Sequence, residues 1–218
     1  MVKKPFFLLA ILLLASRSYC QKLPDGFTIL FGGFKNAENG LIEGFVGLGY
    51  EYRPVEFLGL EASGFAGKFS QEETILDINH PSYGEGHLYS DGNFSGLMLS
   101  TKAYLSFDSE SYWALYLEYY SGFYAVKAYG DGSYRGYDLN ASNATNMEFF
   151  SGLGLGIRIQ LLERMDILAS IGGNTIDFAP AMQSMDYKVP PSVKIPTPKL
   201  ESIAMLKFGF VLLLGERD

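Results

Sequence analysis

The chain has 218 residues, a net charge of −7 and a pI near 4.9, which argues against the basic stripe of a nucleic-acid-binding surface. Its one cysteine, Cys20, excludes an intrachain disulfide framework and a thiolate metal cluster. It is rich in Gly (25), Tyr (15) and Phe (17), and after residue 20 no apolar run reaches the roughly 18 residues that a membrane helix needs.

The first element is a targeting segment. Lys3 and Lys4 precede the apolar run Phe6–Ala15, and Ser16–Cys20 is small and polar. This order predicts a cleaved secretory signal over residues 1–20, with Gln21 as the mature N-terminus and one domain over 21–218. Cys20 also raises a lipoprotein reading. Against it, Arg17 and Tyr19 stand where lipoprotein signals take small apolar residues.

Beyond the signal, side chains alternate with period two, the signature of a strand with two unlike faces. A first strand is expected near 26–36. Over 41–53, Ile42, Val46, Leu48, Tyr50 and Tyr52 share one parity, and Glu43, Glu51 and Arg53 share the other. Strands near 55–69, 93–107 and 112–129 follow. Over 149–161, Phe149, Leu153, Leu155, Ile157, Ile159 and Leu161 oppose Gly152, Gly154, Gly156 and Arg158. A strand near 165–178 precedes the last, 200–214, where Leu206, Phe208, Phe210 and Leu212 oppose Lys207 and Gly209. That makes eight strands of about 10 to 18 residues, long enough for a tilted strand to cross a bilayer. Short links at 53–54, 108–111 and 163–164 alternate with long ones at 35–40, 70–92, 130–146 and 179–199. The last long link holds Pro180, Pro190, Pro191, Pro196 and Pro198, so it is expected to leave the barrel wall and to project or fold over.

The pattern predicts an all-β fold: an eight-stranded antiparallel up-and-down transmembrane β-barrel. Large aliphatic side chains share one face, and glycines and charges share the other, the reverse of a soluble barrel with an apolar interior. Parity sends Glu51, Arg53, Glu61, Lys102, Glu118, Arg158, Asp166 and Lys207 inward. The four acids and four bases are expected to neutralise one another as a structural lumenal network. A narrow polar channel is the alternative use of the same residues. Tyr50, Tyr52, Phe107 and Trp113 at one strand end, and Phe123, Tyr129 and Phe149 at the other, read as interfacial girdles.

Other candidates carry less. His80 and His87 lie near Ser82, Ser90 and Asp91, from which a nucleophile, base and acid could be drawn. With Glu72, Glu73, Asp77, Glu85 and Asp91 they could also face a divalent cation, although the spacing matches no standard site. Asn93, Asn140 and Asn143 begin glycosylation sequons. Gly152–Gly156 is similar to part of a nucleotide loop but falls within a strand.

On GFVGLGYEYRP (44–54), FFSGLGLGIRI (149–159), the signal and the loop asymmetry, the chain resembles the small eight-stranded bacterial outer-membrane barrels, the type that includes the OmpA transmembrane domain and OmpX. The likeness covers nearly the whole mature chain. It implies outer-membrane location, periplasmic termini, contact with outer-membrane lipid and lipopolysaccharide, and insertion by the barrel-assembly machinery. The family generally ends on an aromatic residue, whereas this chain carries Phe208 and Phe210 inside its last strand and a polar tail after it. The functional expectation is a cofactor-free, non-enzymatic barrel serving envelope integrity or surface interaction through loops 70–92, 130–146 and 179–199. A narrow pore or conduit for small hydrophobic molecules, and a lipid-modifying enzyme, are the alternatives.

Overall fold

A strand with one apolar face and two unpaired edges is a template for aggregation, and closing the sheet on itself removes the edges. A computed structural model describes residues 25–36, 42–55, 57–77, 86–105, 112–134, 137–138, 140–145, 147–187, 193–194 and 202–215. The strands are β1 (Gly26–Asn36), β2 (Ile42–Val55), β3 (Leu58–Asp77), β4 (Gly86–Leu105), β5 (Trp113–Tyr134), β6 (Tyr137–Asp138), β7 (Ala141–Ala144), β8 (Glu148–Leu162), β9 (Met165–Asn174), β10 (Val193–Lys194) and β11 (Ser202–Leu213), with one short helix, α1 (Ala179–Gln183). Eight strands form the wall in the order β1–β2–β3–β4–β5–β8–β9–β11, and β11 pairs back onto β1 from Gly26↔Leu213 to Asn36↔Ser202. Each neighbouring pair is antiparallel. The molecule is a closed, eight-stranded, up-and-down β-barrel. The Leu214 amide donates to the Asp25 carbonyl at 2.8 Å, so the two ends of the described chain meet at one end of the barrel, the end that also carries the short 163–164 turn.

The two faces differ as the alternation predicts. Leu48, Leu97, Leu99, Leu153 and Ile171 point outward and are more than half exposed. Aromatic residues flank this belt, with Tyr52, Tyr112 and Trp113 at the end bearing the termini and Phe123, Tyr129 and Phe149 towards the other. Phe107 and the 108–111 link lie outside the described residues, as do residues 1–24 with the signal segment and Cys20.

The wall is strongly uneven. β9 has 10 residues and β1 has 11, but β3, β4 and β5 have 20, 20 and 22. At ~3.3 Å per residue and ~40° of tilt, a 10-residue strand rises ~25 Å and a 20-residue strand ~50 Å. The β3–β4–β5 sheet therefore stands far above the apolar belt.

Two of the expected loops need correction, and the third, 179–199, folds over as one of its two expected courses. Most of 70–92 is strand, because β3 runs on to Asp77 and β4 begins at Gly86, paired from Ser70↔Asp91 to Ile75↔Gly86. Likewise β5 continues through 130–134, and β6 and β7 within 137–144 pair with it. Strands beyond the belt need no apolar face, so Ser70, Gln71 and Glu72 hide the alternation. Within 179–199, α1 folds over the lumen and β10 pairs with the far end of β3. The ninth strand ends at Asn174 rather than near 178. The 53–54 link is also displaced: β2 runs through Pro54 to Val55, beyond which β3 starts at Leu58.

Candidate functional site

Eight strands leave an interior that side chains just fill, so any site within the barrel is made of its inward residues. At the end bearing the termini this interior is ionic. Glu51, Arg53, Glu61, Lys102, Glu118, Arg158, Asp166 and Lys207 all point inward and all are buried. Glu51 is the hub. Its carboxylate accepts from Arg53 Nε at 2.7 Å, Lys102 Nζ at 2.7 Å and Arg158 Nη1 at 2.6 Å. The Tyr104 hydroxyl donates to the same group at 3.1 Å.

Lys102 also bonds Glu61, Arg158 Nε donates to Asp166 at 2.6 Å, and Lys207 pairs with Glu118. Four carboxylates and four cations are thus held together with little access to water. The Arg53 guanidinium stacks on the Tyr104 ring with its carbon 3.9 Å from the centroid. Its two terminal nitrogens are buried with no hydrogen-bond partner among the described residues.

The charge pattern did not single out the aromatic rings that share this interior. Tyr116 and Tyr120 flank Glu118 at the same parity of β5, Tyr116 beside Tyr104 among the ions and Tyr120 above them, and Lys207 Nζ sits 5.0 Å from the Tyr120 ring centroid. Higher still, Phe34, Phe45, Phe65, Phe69, Phe94 and Phe150 fill the lumen. Phe34 and Phe45 stack at 5.0 Å, and Phe65 meets Phe150 edge-on at 5.7 Å. Glycines on neighbouring strands make the room. A Cβ at Gly156 would stand 2.2 Å from the Tyr116 ring, and one at Gly152 2.4 Å from the Tyr120 ring. The Gly152–Gly156 motif is therefore a seat for two tyrosine rings. The same relation joins Gly67 to Phe94 and Gly92 to Phe69.

A lid closes the top. Past β9, Asn174 bonds the Ile176 amide at 2.9 Å and Ser202 Oγ at 3.0 Å, which turns the chain inward. Asp177 then caps the Ala179 amide at 2.8 Å, and a Pro stands in the first turn of α1, where its missing N–H costs nothing. Phe178 stacks on Phe94 at 4.8 Å and on Phe69 at 5.2 Å. Ile176, Ala181 and Met182 are buried with it. Tyr124 donates to the Asp177 carbonyl at 2.7 Å, and Asn143 donates to Ala181 and Ser184 from β7, so the lid is pinned from two sides. These Asn143 bonds also give that sequon side chain a structural partner.

Glu43 lies at the outer end of β2, beyond Val46, and faces inward. In the lid, burial raises the Tyr187 hydroxyl, while a hydrogen bond with Ser90 works the other way.

Of the catalytic candidates, Ser90 and Asp91 are the two whose side chains are described, and they diverge: Ser90 faces inward and Asp91 outward on the same strand. His87 lies in β4 opposite Thr74 and Ser133, with its side chain outside the described residues, as are His80, Ser82 and Glu85. Glu72, Glu73 and Asp77 occupy strand positions in β3, not a loop. Among the described residues no three His, Cys, Asp or Glu side chains are grouped to hold a metal.

No protein-family model matches the chain, and no curated protein does. Among solved structures, it is similar to Ail, the attachment invasion locus protein of Yersinia pestis, in complex with the heparin analogue sucrose octasulfate. The two share 15% identity over 88% of this chain and 98% of that one, with a TM-score of 0.46. Neisserial surface protein A matches at 12% identity over 90% and 100%, with a TM-score of 0.41. CarO of Acinetobacter baumannii matches at 14% identity over 89% and 100%, with a TM-score of 0.37. Likenesses this low bear on neither ligand nor activity.

Proposed function

We propose that the protein is a non-enzymatic barrel of the bacterial outer membrane, closed to solutes, which acts through the β3–β4–β5 wall beyond the lipid. The observation that carries this reading is the inverted barrel. An exposed aliphatic belt surrounds a lumen of paired charges and aromatic rings, an arrangement stable when hydrocarbon, not water, covers the outside. Residues 1–20 are then a cleaved export signal, both termini lie in the periplasm, and the barrel-assembly machinery inserts the chain. The buried charges serve structure: they are equal in number and sign-matched, whereas an ion-selective pore favours one sign. The long wall with β6, β7 and β10 is the surface offered to a partner outside the cell. These elements take up much of the 70–92 and 130–146 segments and part of 179–199.

Fractionation with heat modifiability tests the location. The chain is expected in the outer-membrane fraction, migrating as a folded band that shifts on boiling. A freely soluble chain with no shift would overturn the reading.

A further inference from the structure

The three glycosylation sequons differ in what precedes them. Asn140 stands in Asp138–Leu139–Asn140–Ala141–Ser142 and Asn93 in Asp91–Gly92–Asn93–Phe94–Ser95, each with an acid two residues before the asparagine and a hydroxyl two residues after it. Asn143 has Ala141 at the first of these places. The sequon itself needs only the asparagine and the hydroxyl. In an extended chain, alternate side chains project to one side, so acid, amide and hydroxyl are presented together to an enzyme that binds the segment as a strand. A carboxylate at that place can pair with a cation of the enzyme, which an alanine cannot do.

The fold separates the three further. Asn143 is turned to the lid, where its amide nitrogen donates to the Ala181 carbonyl at 3.1 Å and to the Ser184 hydroxyl at 2.6 Å. An amide nitrogen that carries a sugar keeps one hydrogen and could not make both bonds. Asn93 is exposed but central, between Lys68 of β3 and Lys127 of β5, and four residues from Leu97 of the apolar belt. A glycan there would lie against the bilayer surface. Asn140 is exposed at the break between β6 and β7, which among the described residues pair with β5 alone and so form an edge of the wall. The register sets Asp138 opposite Ser133 and Ala141 opposite Gly130, farther along β5 from the belt than Lys127. A sugar at Asn140 meets water and displaces no packed side chain.

We infer that Asn140 is an N-glycosylation acceptor, with Asp138 as the acid that the transferase reads, and that it is modified in the periplasm from a polyprenyl-pyrophosphate-linked oligosaccharide. This rests on the export reading above, because chain and donor meet only beyond the inner membrane. The amide nitrogen attacks the anomeric carbon of the first sugar. The new N–C bond replaces the C–O bond to pyrophosphate, the nitrogen loses one proton to solvent, and the lipid pyrophosphate leaves. Transfer precedes insertion, so the fold has only to tolerate the product, which it does at Asn140 and not at Asn143. The bulky, hydrated oligosaccharide then covers the β6–β7 edge and keeps other strands from pairing with it.

The test takes the full mature chain from the membranes of its own bacterium, checks its heat shift, and maps its glycopeptides by mass spectrometry with fragmentation that leaves sugars on their residues. Asn140 is expected to carry an oligosaccharide on most copies, with Asn143 bare on the same molecules. Asn140→Gln should remove that mass. Asp138→Ala, which leaves the sequon whole, should lower occupancy severalfold, and Asn143→Gln should not change it. A heat-shifting chain whose Asn140 is unmodified overturns the inference, as does a sugar on Asn143 in its place or occupancy indifferent to Asp138→Ala. A chain that is soluble without detergent and shows no shift overturns the outer-membrane reading instead, and this site with it.

Discussion

At the scale of single residues, the ionic layer is balanced around Glu51. Its carboxylate meets three cations and Tyr104, so removing its charge leaves Arg53 without the carboxylate it pairs with, and Lys102 and Arg158 with one acid each (Glu61 and Asp166), in a place with almost no water. Breaking a buried pair from one side costs about 3–5 kcal/mol, because the remaining charge stays buried. Glu51→Gln is therefore expected to lower unfolding stability by that amount in urea titration of the lipid-embedded barrel. A loss under about 1 kcal/mol would mean that the layer is hydrated and does not act as a unit.

At the scale of elements, strands are set by alternation inside the belt and by pairing outside it. The sequence made the first kind legible. Glu51, Arg53 and Arg158 each share parity with glycines, and their inward direction follows from that alone. The outer halves of β3, β4 and β5 were not legible, because polar side chains on both faces leave no period to read. The tyrosines beside Glu118 and the phenylalanines opposite Gly67 and Gly92 carry the same parity signal as the charges. They were overlooked because aromatic residues favour strands anywhere. A ring seated on a neighbour's glycine is a paired choice, which a double-mutant cycle can measure. Gly156→Ala should cost about 1–3 kcal/mol, since its Cβ collides with the buried Tyr116 ring. In a Tyr116→Ala background the same change should cost little. Additive losses in the cycle would mean that Gly156 is needed for its backbone and not for the ring.

At the scale of the whole molecule, the lumen is closed twice, by mechanisms that fail independently. The ion layer blocks the end bearing the termini with matched charges, and Phe178 blocks the other by stacking on Phe69 and Phe94. The lid was legible only as a proline-rich link unfit for the wall that would project or fold over. That it folds inward depends on Asn174, which turns the chain at Ile176, and on Tyr124, which holds Asp177 from across the barrel. Two seals in series make a specific electrical prediction. In planar bilayers the wild type should show no conductance steps, and Phe178→Ala should show none either, because the ion layer still stands. Glu51→Gln alone should also stay silent behind the phenylalanine cluster and its lid. The two together should stay silent as well, in a barrel that keeps its heat shift, because Phe34, Phe45, Phe65, Phe94 and Phe150 still fill the lumen between the two ends. Steps from Phe178→Ala alone would mean that ions pass the charged layer freely, and the lumen would then be a gated channel with the lid as its gate.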